Sequence, residues 1–149
     1  QDRTCMSSFS CPADHFCPTS GPSLASECAD ECTVNSDCRG VEACKWFIEG
    51  RGCGRRGGGA NGDACDDFTE CGGQRACLPW PNGTCARAGC TSNAECETGT
   101  YCVADADLGV NVCAKNCWMA DDECRLSEGY ECVYEDDVSG TGQLFCRPS

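Results

Sequence analysis

Apolar positions along this 149-residue chain are sparse and come in short bursts, without the three-to-four-residue period of an amphipathic helix. Trp46-Phe47-Ile48, Leu78 with Trp80, Val103, and Val133-Tyr134 are the clearest bursts. Each follows a cysteine and runs into residues rich in Gly, Asn and Asp. β-branched and aromatic residues bounded by such turn formers predict short strands joined by hairpin loops. The longest purely apolar runs are a few residues, so no segment is expected to span a bilayer.

Superposing the cysteines turns these bursts into a repeat. Five four-cysteine units use all 20 cysteines: Cys5, Cys11, Cys17 and Cys28 (unit one, 5–28); Cys32, Cys38, Cys44 and Cys53 (unit two, 32–53); Cys65, Cys71, Cys77 and Cys85 (unit three, 65–85); Cys90, Cys96, Cys102 and Cys113 (unit four, 90–113); and Cys117, Cys124, Cys132 and Cys146 (unit five, 117–146). In the first four units five residues separate the first cysteine from the second and the second from the third, whereas unit five is looser. An acid stands just before the second cysteine in four units, as Asp37, Glu70, Glu95 and Glu123. Spacers are three or four residues long, except for the Gly-rich linker 54–64. Its glycines suit either a flexible hinge or plain loop, or an ordered surface loop that lets another chain approach closely as a contact site.

Leu, Ile, Val and Phe together number only 18, and the net charge is −13, a balance that ordinarily leaves a chain too poor in apolar surface to fold. Cross-links must stand in for the missing core, at about 2–4 kcal/mol each. The predicted fold class is therefore small and disulfide-rich, a tandem array of five four-Cys repeats with short β-hairpins and little helix. Four cysteines allow three pairings per unit, and bridges between units are also conceivable. We expect pairing within units, with one–three and two–four as the working choice. Disulfides persist in oxidising compartments, so the expected location is extracellular or at the cell surface. A first residue of Gln, with no Met, fits a mature secreted product.

The box Cys90-Thr-Ser-Asn-Ala-Glu-Cys96-Glu-Thr-Gly-Thr-Tyr-Cys102, echoed by Cys32-Thr-Val-Asn-Ser-Asp-Cys38, resembles the N-terminal cysteine-rich segment of the Dickkopf family of secreted antagonists. The likeness covers about half of each repeat. It implies a short-stranded, disulfide-linked knot for each unit. No segment resembles that family's colipase-like receptor-binding domain, so receptor antagonism is not implied.

With 24 acids against 11 Lys and Arg, nucleic acid is not an expected partner, nor is membrane insertion. Cys-x2-Cys, Cys-x-Cys and haem-attachment spacings are all absent, which argues for disulfides over metal. The single histidine, His15, has no second histidine to make a metal pair and no Gly-x-Ser-x-Gly nucleophile motif beside it, so the chain is expected not to be an enzyme and to need no cofactor. Asp105, Asp107 and Asn111 place oxygens at alternate positions, a partial calcium loop without the closing Glu. Asn82-Gly83-Thr84 is an N-glycosylation sequon.

The function expected first is an extracellular structural or interaction protein, a subunit of a filament, coat or matrix whose partner is itself. Contacts are expected between a unit-one surface and an apolar patch on unit five. The alternative is a secreted binding module or inhibitor acting on another extracellular protein, a receptor or protease, through the loops 45–52 and 78–84. The interaction candidates are Trp46, Trp80, Trp118, Tyr134 and Phe145, aromatics being typical binding anchors.

Overall fold

The computed structural model describes residues 4–5, 11, 15–22, 26–117 and 124–148. Twelve strands pair two by two, all antiparallel. Unit one holds β1 (Thr4–Cys5) with β3 (Ser26–Glu27), and β2 (His15–Phe16) with β4 (Ala29–Asp30). Units two to five are each built on one hairpin: β5 (Glu42–Trp46) with β6 (Arg51–Arg55), β7 (Ala76–Leu78) with β8 (Thr84–Ala86), β9 (Thr100–Asp105) with β10 (Val110–Lys115), and β11 (Tyr130–Asp136) with β12 (Gly142–Pro148). No α-helix occurs among the described residues, only single 3-10 turns such as Asn35–Asp37, Phe68–Glu70 and Asn93–Glu95.

All ten disulfides lie within units and run first to third and second to fourth cysteine: 5–17, 11–28, 32–44, 38–53, 65–77, 71–85, 90–102, 96–113, 117–132 and 124–146. The hairpin register explains the pattern. Cys44 stands opposite Cys53, Cys77 opposite Cys85, Cys102 opposite Cys113, and Cys132 opposite Cys146. Directly opposed side chains leave the sheet on the same face. Each hairpin therefore sends two sulfurs the same way, and both bridge out to the arm that carries the first two cysteines. The sulfurs of the first, second and fourth cysteines of a unit lie within 4.8 Å of one another, so the two bridges stack. Being oxidised, they offer no thiolate to a metal.

Apolar scarcity makes the units share what they have. Phe16 of unit one, Phe47 of unit two and Phe68 of unit three meet edge to face, with centroids 6.0 and 5.1 Å apart, in a cluster with Ala29 and Ala76. Such ring pairs add about 0.5–1.5 kcal/mol each beyond area burial. A second cluster joins units three to five through Leu78, Trp80, Val103, Val112, Tyr130 and Phe145. Unit three thus contributes to both. Contacts are not confined to adjacent units: residues also reach the next unit but one. Ser20 of unit one accepts from the Phe68 N–H of unit three at 2.8 Å, and Tyr130 of unit five donates to the Pro81 carbonyl of unit three at 2.7 Å.

The Gly-rich segment is ordered. It begins within β6, and its Gly57 and Gly59 N–H groups then donate to the carbonyls of Cys71 and Glu70 at 2.8 Å each. A Cβ at Gly57 would overlap the Thr69 carbonyl oxygen, so here glycine is required by close approach. Lys45, fully buried, closes the junction by donating to the carbonyls of Cys71 and Arg75 at 2.8 Å.

Candidate interaction surface

The recurrent acid before the second cysteine is a turn cap. Asp37 accepts from the N–H groups of Thr33 and Val34, and Glu95 accepts from the N–H and hydroxyl of Thr91. These bonds hold both carboxyls below their ordinary range. Glu70 does the same for the Asp66 N–H, whereas Glu123 lies outside the described residues. The Asn of the box plays a separate part. Asn35 accepts from the Cys44 N–H at 2.9 Å and Asn93 from the Cys102 N–H at 2.8 Å, tying each turn to the third cysteine of its unit. Asn93 also donates to Asp137 in the unit-five hairpin. That bond, with those from Ser139 and the Thr141 N–H, lowers the Asp137 carboxyl to about 2, with the Ser139 hydroxyl the largest cause.

Three of the five interaction candidates are not surface anchors. Trp46 and Trp80 are 8% and 7% exposed and Phe145 is fully buried. In a chain this poor in aliphatics the aromatics are the largest apolar faces available, and folding consumes them as joints between units. Trp46 lies under the guanidinium of Arg51 at 3.7 Å, with Arg87 at 5.2 Å, and its carbonyl accepts from Ala88. Trp80 donates to Asp105 at 2.9 Å and packs against Tyr130. Phe145 meets Tyr101 of unit four. The loops 45–52 and 78–84 are mostly buried for the same reason. Tyr134 is 72% exposed, whereas Trp118 lies outside the described residues. The broad apolar patch expected on unit five is corrected as well, since Tyr130 is buried and Leu144 packs against the core.

Asp105 is engaged as a turn acid. One oxygen accepts from the N–H groups of Asp107 and Leu108, the other from Trp80, and Asn111 is turned to the Cys90 carbonyl. His15 forms an ion pair with Asp30 across β2 and β4. Asn82 is exposed at φ 59°, the left-handed position of a Trp80-to-Gly83 turn, but the sequon's Thr84 is buried against Tyr130 and Arg125.

A small enclosed cavity between Trp80, Thr84, Arg125 and Tyr130 has about 10 Å³, room for about one water. Two open grooves are larger. One, of about 270 Å³, is lined by Pro79, Trp80, Pro81, Leu108, Arg147 and Pro148, among others. The second, of about 500 Å³, lies on unit two between Asp37, Arg39, Val41, Glu42 and Arg55.

Among the described residues the large exposed apolar side chains fall in two places, Val34 (51%) and Val41 (64%) on unit two, and Tyr134 (72%) and Val138 (39%) on unit five. Charge differs between them. Unit two (32–53) carries three basic groups against three acids, a net of zero, whereas unit five (117–146) carries one Arg against eight acids, a net −7.

The fold and its surface define a disulfide-rich tandem-repeat protein, and its ten disulfides are consistent with a secreted or extracellular location. Among the described residues no helix is long and apolar enough to cross a membrane. Comparison with known proteins returns no matching family model, no matching curated protein and no matching solved structure.

Proposed function

We propose that the chain is a non-catalytic extracellular structural protein, a subunit that joins further copies of itself in a filament, coat or matrix. The observation that carries this reading is the pattern of surface left over once the units have packed. Among the described residues large exposed apolar side chains remain in two separate places, on net-neutral unit two and on unit five with its net −7. Separate, unlike faces suit a heterologous contact between copies, which extends into a fibre whenever its rotation does not close a ring.

A binding module or inhibitor is the second reading. The proline-lined groove beside Trp80 favours it, being a concave apolar surface with charged groups at Arg147 and Asp105. Light scattering and electron microscopy of the untreated protein separate the two. The structural reading expects particle mass to grow with concentration, and to grow further with salt, because −13 charges per copy oppose assembly until screened. A monodisperse monomer across those conditions, together with tight binding to an unrelated protein, would sink it.

A further inference from the structure

Inside the chain three contacts follow one pattern of docking. In units one, two and three the segment between the third and fourth cysteines meets the unit two places further on, at its first turn or the residues around its second cysteine. Ser20 of unit one meets the Phe68 N–H at the start of the unit-three turn. Arg51, in the unit-two hairpin, faces Glu95 in the unit-four turn at 3.9 Å. The Gly83 carbonyl and Thr84 hydroxyl of unit three accept from Arg125 at 2.5 and 2.6 Å, and Arg125 directly follows the second cysteine of unit five.

Unit two carries the same receiving face. Its turn spans Asn35–Asp37, and Arg39 follows its second cysteine as Arg125 follows that of unit five. Arg125 pairs with Glu128 three residues on, and Glu42 stands three residues after Arg39. Arg39 is exposed and makes no ion pair among the described residues, and Asp30 at the end of β4 lines one side of the groove. Val34, Val41 and the 500 Å³ groove are what this face presents.

We propose that this face of unit two receives the β11–β12 hairpin of unit five from a second copy of the chain. The two-unit step that orders the chain internally then continues from molecule to molecule, giving a head-to-tail fibre. The inference rests on the self-assembly reading and names its two faces. Counting onward from unit five, the second unit of the next copy is the one two places further on. The same pair is selected independently by the large exposed apolar residues among the described residues, Val34 and Val41 against Tyr134 and Val138. The donor hairpin is already held in shape. Tyr134 lies so closely over Gly142 that a Cβ there would overlap its hydroxyl, and the Val138 N–H is anchored on the Cys102 carbonyl at 2.9 Å. A preformed element loses little conformational freedom on binding.

The test uses three exposed substitutions, Arg39→Glu, Val41→Asp and Tyr134→Asp, in the full chain, followed by sedimentation and electron microscopy. Each variant alone is expected to associate at least about tenfold more weakly than the wild type. A Val41→Asp copy keeps its donor hairpin and a Tyr134→Asp copy keeps its receiving face, so mixing the two should give one-to-one dimers that grow no further. Wild-type fibres that persist in all three variants, or a mixture without dimers, would overturn the assignment of faces while leaving self-assembly standing. A wild type that stays monomeric at every concentration and salt would overturn both.

Discussion

At the fourth position of the box units two and four share a residue that unit three lacks, and the difference separates two ways of holding a repeat. Where units two and four have Asn35 and Asn93, unit three has Phe68. The asparagines act locally, each capping the N–H of its own third cysteine. Phe68 acts between units: it is 2% exposed, meets Phe47 edge to face and anchors the cluster shared with units one and two. The unit scaffold is thus set by cysteines and turn acids, and the position between them is free to serve either the unit or the array.

The largest effect expected is at Phe68. Phe68→Ala should destabilise by about 3–5 kcal/mol, the range for emptying a buried aromatic site, measured by denaturant unfolding with disulfides intact. Phe68→Asn sharpens the comparison, because it installs the residue of the sister units. If the local clamp were sufficient the change would be near neutral. We expect a loss of about 2–4 kcal/mol, since the aromatic cluster is broken whatever the unit gains.

The next effect concerns the junction that Lys45 closes between units two and three. Burial first, then the charges of Arg75 and Arg56, lower its ammonium from 10.5 to about 8. The unfolded chain therefore holds the proton more tightly between about pH 8 and 10.5, and stability should rise with pH through that window, by up to about 1.4 kcal/mol per pH unit. The neutral amine still has two N–H donors for its two carbonyls, so the contacts survive deprotonation. Burial holds the Tyr130 phenol above its ordinary value and so out of the lower part of the window. Unfolding measured from pH 7 to 9.5 should show the rise, and Lys45→Met should flatten it.

The smallest effects distinguish the two asparagines. Asn35→Ala leaves the buried Cys44 N–H without its acceptor, which costs about 1–3 kcal/mol. Asn93→Ala should cost about 1 kcal/mol more, because it also loses the bond to Asp137 that ties unit five to unit four. Equal losses at the two sites would show that this link between units contributes nothing.

The architecture of a unit was legible because it depends on covalent spacing and turn chemistry. The cysteine gaps, the acids at 37, 70 and 95, and the bursts after the third cysteine map directly onto bridges, turn caps and hairpins. What lies between units was not legible, because it depends on which side chains meet across distant positions. Trp46 and Trp80 looked like surface anchors because the sequence does not show what covers them; Arg51 across its own hairpin and Arg87 cover Trp46, and Tyr130 of unit five packs against Trp80. Asp105 had the spacing of a partial cation loop, but the spacing of oxygens says nothing of the indole that claims one of them. Val34, Val41 and Arg39 drew no notice, being ordinary residues whose meaning comes from Arg125, 86 positions beyond Arg39.

Confining every bridge to its own unit also has a mechanical meaning. Under tension a unit cannot lengthen much, since the second-to-fourth bridge short-circuits its hairpin loop. Only the spacers can extend. A spacer of three or four residues releases about 10–14 Å when drawn straight, against about 70 Å for the 22 residues of unit two were it not cross-linked. A pulled chain would therefore give way in many short, recoverable slips as hairpins peel from their partners two units away, with each covalent knot left intact and ready to dock again.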